Sequence, residues 1–156
     1  MRNRSGRIVA LVLAMSWVAG FAVAATEPNA TDLKKVMGDN FQRVAMILNN
    51  LIAARYESIP HEAELIVEHA SLLIKSPPRE VKTQEERSMF LTYASSLKTS
   101  AMNLLEVTKE LAKRDKQQNT PGQLSVDYLR VAAASHYGIM VTNCVLCHNQ
   151  FRRHQL

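Results

Sequence analysis

Apolar residues recur every three or four positions in four successive segments of this 156-residue chain, and that spacing predicts packed amphipathic helices. Five glycines and five prolines are too few to interrupt these segments, and no stretch shows the two-residue alternation of a strand. Ser76-Pro77-Pro78 and Asn119-Thr120-Pro121-Gly122 provide breaks between them. We therefore predict an all-α fold, an antiparallel up-down-up-down four-helix bundle.

The helix starts are predicted from capping residues. Helix one should begin near Thr31, helix two should follow Pro60, and helix three should start at the capping box of Thr83 and Glu86. Helix four should run from about Ser125 to Arg153. The predicted inner faces are Leu33, Met37, Phe41, Val44, Leu48 and Leu51 in helix one; Leu65, Ile66, His69, Leu72 and Leu73 in helix two; Phe90, Leu97, Ala101, Leu104, Leu105, Thr108 and Leu111 in helix three; and Leu129, Val131, Ala132, Tyr137, Met140, Val141, Cys144, Cys147, His148 and Phe151 in helix four.

The first 25 residues have the three parts of a secretory signal peptide. Arg2, Arg4 and Arg7 precede the apolar run from Ile8 to Ala19, and Ala22-Val23-Ala24 is a small-residue cleavage signal. A membrane anchor would need about 20 apolar residues, and this run is shorter. We expect residues 1–25 to be removed and residues 26–156 to fold as one domain in the periplasm.

The charge of the predicted mature chain is small. Three of the 19 basic residues lie in the signal peptide, which leaves 16 against 14 acidic residues, a net charge of +2. Basic residues are not interleaved with aromatic ones, so nucleic acid is not an expected partner.

Both cysteines lie in the pentapeptide Cys144-Val145-Leu146-Cys147-His148. A disulfide between consecutive turns of one helix would constrain almost nothing, a structural zinc would need four ligands, and the βαβ pattern of a thioredoxin-like pair is missing. Residues three apart share a helix face, so the two thiols could add to the two vinyl groups of one porphyrin. His148 would then donate a nitrogen to iron, and we expect one covalently attached haem c.

The segment from Asn143 to Arg152 resembles the C-terminal motif of the cytochrome c-prime family, the class II c-type cytochromes. Members of this family are antiparallel four-helix bundles, and the resemblance covers the whole mature chain. Phe151 and Arg152 match the family pattern. Phe151 should pack on the porphyrin, and Arg152, one turn after His148, should lie beside the proximal imidazole or a propionate.

The segment Val36-Met37-Gly38-Asp39-Asn40-Phe41 resembles helix one of the low-spin family members, in which this methionine is the second axial ligand. With a rise of about 1.5 Å per residue, antiparallel helices would also bring Met37 and His148 to nearly the same height. His69 and Met89 lie at that height too, and an open distal site is a further alternative.

The resemblance implies a protein that carries single electrons between redox partner proteins and is not an enzyme. The alternative is a high-spin cytochrome c-prime that binds a diatomic gas, NO or CO. The family often forms homodimers, and the sequence leaves the oligomeric state open. Non-haem metal binding by His61, Glu64, Glu68 and His69 is disfavoured because the Glu-x-x-His pairs of di-iron bundles are absent.

Overall fold

The computed structural model describes residues 30–78, 81–114 and 125–151, with side chains from residue 35 onward. These ranges contain four α-helices and no strand: α1 is Ala30–Ile52, α2 is Ile59–Lys75, α3 is Gln84–Arg114 and α4 is Val126–Phe151. The predicted all-α class is confirmed. No helix in these ranges is long and apolar enough to cross a membrane. The predicted signal peptide, the turn at residues 119–122 and Arg152 lie outside the described residues.

The link between α1 and α2 is short and closely hydrogen-bonded. The amide of Arg55 donates to the carbonyl of Asn50 at 2.9 Å, and the amide of Ala54 donates to that of Leu51 at 3.2 Å. Ala54 has a φ of 53°, the left-handed conformation that ends many helices and usually belongs to glycine. A 3-10 turn over Tyr56–Ser58 then leads into α2, whose first turn contains Pro60 as predicted.

The predicted starts of α3 and α4 are confirmed by their hydrogen bonds. The Thr83 hydroxyl accepts from the Glu86 amide at 3.1 Å, while the Glu86 carboxylate accepts from the Thr83 amide at 2.9 Å. This reciprocal pair is the capping box. The Ser125 hydroxyl accepts from the amide of Tyr128 at 3.1 Å, which caps α4 in the same way.

The helices pack in chain order. α3 packs extensively against both α2 and α4, whereas α1 packs mainly against α2 and touches α4 only slightly. The main core, to which all four helices contribute, consists of Ile47, Tyr56, Ile59, Ile66, Ala70, Leu97, Ala101, Leu104, Leu111, Leu129, Ala133 and Met140. A second, smaller core, which we call the end core, consists of Leu73, Phe90 and Ala94.

The inner face of α3 is the one predicted. All seven of its predicted residues are buried, from Phe90 at one end to Leu111 at the other. Thr108 satisfies its hydroxyl by donating to the carbonyl of Leu104 one turn earlier, at 2.8 Å.

The inner face of α1 differs from the prediction. Phe41 is 77% exposed and Leu48 is 41% exposed, whereas Asn40 and Ile47 are buried. Phe41 with Leu48 and Asn40 with Ile47 are both seven residues apart, so each pair fits one helix face. The prediction favoured Phe41 and Leu48 because both are apolar, and it was wrong. Asn40 is buried because its side chain has a hydrogen-bond partner on α2. Leu33 was also predicted, and its side chain lies outside the described residues.

Two further predicted core residues are exposed, Leu72 of α2 at 53% and Val131 of α4 at 70%. Leu73, which was also predicted, is buried, and Ala133, which was not predicted, is buried two residues after Val131. The predicted faces of α2 and α4 were therefore too wide, while the helices themselves are present.

Candidate cofactor site

Cys144 and Cys147 lie on α4, and both are half-buried and free of disulfide bonding. Cys144 packs against the main core, and Cys147 packs against the end core. Because they are three residues apart on a helix, the two sulfurs lie on one face, where α4 passes from one core to the other.

The surroundings of the two thiols favour their protonated form. Burial raises the pKa of Cys144, and burial together with the neighbouring Cys144 raises the pKa of Cys147 to about 11. Disulfide oxidoreductases and thiolate metal sites have the opposite property, a lowered thiol pKa. The two cysteines are therefore poorly suited to thiol–disulfide exchange.

Three of the residues singled out in the sequence meet at the end core. Met37 comes from the first turns of α1, Cys147 and Phe151 come from the last turns of α4, and all three pack against Leu73, Phe90 and Ala94. The Phe151 ring meets Phe90 edge to face, with centroids 5.6 Å apart. Such aromatic contacts add about 0.5–1.5 kcal/mol to the burial of the rings. Residues 110 positions apart in sequence therefore share one apolar site.

The other two predicted α4 residues are placed differently. His148 belongs to the last turn of α4 and is exposed, although it was predicted on the inner face. It follows Cys147 directly, and a helix turns about 100° per residue, so His148 points to one side of the end core. Arg152 lies outside the described residues.

The methionines take different places in the fold. Met140 is fully buried in the main core, and Met46 and Met102 are exposed. Met89, the alternative left open by the sequence, is half-buried on α3 directly before Phe90. Met37 packs against the end core, as Cys147 does.

His69, the other alternative ligand, already has a partner. Its Nδ1 donates to the Oδ1 of Asn40 on α1 at 2.6 Å, so the imidazole bridges α1 and α2. Burial and the nearby Arg43 guanidinium lower the pKa of His69, while Asp39 and Glu68 oppose that shift. His69 is thus a neutral, hydrogen-bonded residue between two helices.

The non-haem metal set that the sequence disfavoured is His61, Glu64, Glu68 and His69 of α2. In the described ranges, no three His, Cys, Asp or Glu side chains converge as a metal site. His61, Glu64 and Glu68 are exposed on α2.

Two polar contacts between α1 and α2 were not predicted from the sequence. One is the Asn40–His69 hydrogen bond, and the other is an ion pair in which Arg43 Nη1 donates to Glu62 Oε2 at 2.6 Å. A signal was present, since Asn40 occupies a core position of α1, three residues after Met37 and seven before Ile47.

Comparisons with protein-family models, with curated proteins and with solved structures found no match to this chain. The residues of α1 and α4, and the chemistry that they can perform, are therefore what indicates a function.

Proposed function

We propose that this chain is a periplasmic c-type cytochrome of the cytochrome c-prime kind, which carries single electrons and holds one haem. In this proposal Cys144 and Cys147 would hold the haem through two thioethers, and His148 and Met37 would bind the iron. Phe151 and Arg152 lie beside the haem. The helices form an antiparallel up-down-up-down bundle, and residues 1–25 are the signal peptide.

The pairing of distant residues supports the proposed topology. Asn40 and Arg43 of α1 contact His69 and Glu62 of α2 in reverse order, as antiparallel helices would. Phe90 near the start of α3 meets Phe151 at the end of α4.

The end core is the observation that carries the proposal. It gathers Met37, Cys147 and Phe151 at one end of the four helices, with a thiol, a thioether and an aromatic ring against one apolar surface. The slight contact between α1 and α4 also supports it, because a planar group attached to α4 and ligated from α1 would need to lie between these helices.

The chemistry of the two sulfurs fits covalent attachment. A protonated thiol adds across a vinyl group, so that its sulfur bonds to one vinyl carbon, its proton passes to the other, and no oxidant or reductant is consumed. Iron bound there supplies one-electron chemistry, and a thioether ligand raises its potential relative to a second imidazole.

The test is an absorption spectrum of the protein purified from periplasm, oxidised and reduced, before and after addition of CO. A sharp low-spin spectrum, a weak far-red sulfur-to-iron band in the oxidised form and no change with CO are expected. Mass spectrometry should find haem retained after denaturation and a chain that begins at residue 26.

Met37→Ala identifies the ligand, and Met46→Ala is its matched control. Met46 lies on the same helix about 13 Å further along, and it is exposed. Met37→Ala should lose the far-red band and bind CO, while Met46→Ala should keep the parent spectrum. A parent protein that is high-spin and binds CO would replace the electron-carrier proposal with the gas-binding alternative. A protein without covalently bound haem would refute both.

A further inference from the structure

The helix that carries Met37 is held by α2 rather than by the helix that carries the cysteines. α1 packs mainly against α2 and touches α4 only slightly. The position of Met37 relative to Cys147 therefore depends on how α1 is fixed to α2, and through α2 and α3 to α4.

Two polar contacts join α1 to α2 close to Met37, and we call them the α1–α2 clamp. His69 Nδ1 donates to Asn40 Oδ1, and Arg43 Nη1 donates to Glu62 Oε2, each at 2.6 Å. Asn40 follows Met37 by three residues, and Arg43 follows Asn40 by another three, so the two contacts lie within about two turns of Met37.

Because the groups of the clamp are buried, the clamp favours one position of α1 on α2. Asn40 and Glu62 are both buried, and a buried polar group without its partner is strongly disfavoured. Arg43 Nε is itself buried without a partner in the described ranges, so the ion pair with Glu62 is the contact that compensates this guanidinium. A rotation or shift of α1 would break both contacts together.

Apolar packing alone would not fix α1 as closely. Met37, Val44, Ile47 and Leu51 contact the two cores, and such contacts have no preferred direction. Phe41 and Leu48 on the adjacent face offer an alternative apolar surface of the same spacing. A slip by one helical turn would move Met37 by about 5.4 Å, far more than a bond to iron allows.

We infer that Asn40, His69, Arg43 and Glu62 are positioning residues that hold the thioether of Met37 at the distal side of the haem iron. This inference deepens the proposed function and depends on it. The clamp decides whether the iron keeps its sulfur ligand or opens the distal position to a small ligand such as CO.

The test compares holoprotein variants by the far-red band, the high-spin fraction and the spectral change on addition of CO. Asn40→Leu combined with His69→Phe removes both partners of one contact without leaving either unsatisfied. This double variant should lose most of the far-red band and show a spectral change with CO that the parent lacks. Asn40→Asp keeps the acceptor oxygen and should retain the parent spectrum.

The control is Tyr56→Phe. It removes the hydrogen bond that the Arg130 Nε donates to the Tyr56 hydroxyl at 3.1 Å, which is also a polar contact between distant segments. Tyr56 lies beyond the far end of α1, more than about 20 Å along the helix from Met37, and this variant should keep the parent spectrum.

A double variant that keeps the far-red band and, like the parent, shows no spectral change with CO would overturn the inference. Where this variant fails to fold, Arg43→Leu with Glu62→Leu removes the second contact, and the same two outcomes decide. A parent that lacks the far-red band overturns the proposed function and this inference together, whereas a low-spin parent with unaffected variants overturns the inference alone.

Discussion

The imidazole of His69 shows how one residue connects burial, charge and helix packing. It is half-buried between α1 and α2, it donates to Asn40, and Arg43 lies near enough to oppose its protonation. The carboxylates of Asp39 and Glu68 favour protonation, but burial and Arg43 outweigh them, so the pKa of His69 falls below its ordinary value of 6.5.

The lowered pKa of His69 predicts a loss of stability in acid. Between the folded-state pKa and 6.5, the unfolded chain binds more protons at this residue than the folded one. The contribution of His69 to the free energy of unfolding is therefore complete above pH 6.5 and is lost as the pH falls below 6.5. Urea unfolding of the parent and His69→Gln between about pH 8 and pH 5 should show a difference in unfolding free energy that shrinks with acidity. A constant difference would contradict the assigned shift.

Among the helices, α3 could be predicted in detail and α1 only in part. The capping box and the seven buried residues of α3 follow from local spacing, because this helix is enclosed by α2 on one side and α4 on the other. In α1 two neighbouring faces satisfy the same spacing. The choice between them depends on the hydrogen bond that His69, 29 residues away, donates to Asn40, which no local pattern contains.

The two predicted helix faces can be tested with a matched pair of leucines. Leu104 of α3 is fully buried, and Leu72 of α2 was predicted to be buried but is 53% exposed. Leu104→Ala should lower the unfolding free energy by about 2–5 kcal/mol because it leaves a cavity. Leu72→Ala should change it by about 0.5 kcal/mol or less. Equal losses in denaturant unfolding would show that the assigned rotation of α2 is wrong.

The candidate residues that belong to motifs could be named from the sequence. The contacts that depend on how the helices pack could not. The spacing of Cys144, Cys147 and His148 predicted the attachment chemistry, and Met37 was chosen by resemblance, since His69 and Met89 lie at the same height along the bundle. The exposure of His148 and the clamp formed by Arg43 and Glu62 depend on side-chain contacts across helices, which only coordinates reveal.

In the molecule as a whole, the unequal attachment of the four helices predicts unequal protection of their backbone amides. α3 contacts two neighbours along its length, whereas α1 depends mainly on one. Hydrogen exchange followed by mass spectrometry should find α1 exchanging faster than α3, because local opening requires the least free energy where the fewest buried contacts are lost. Equal protection of α1 and α3 would mean that α1 is held by more than α2.

The half-burial of the two sulfurs also constrains the order of events during biogenesis. Once α4 has packed against α3, Cys144 and Cys147 face the two cores, and a large attaching enzyme would meet them only with difficulty. α4 follows the other three helices in the chain, so on the proposed function it would leave the membrane channel last. On the proposed function, haem must therefore be attached to α4 before α4 packs against the other helices. A chain that folds faster than haem is attached would remain without haem.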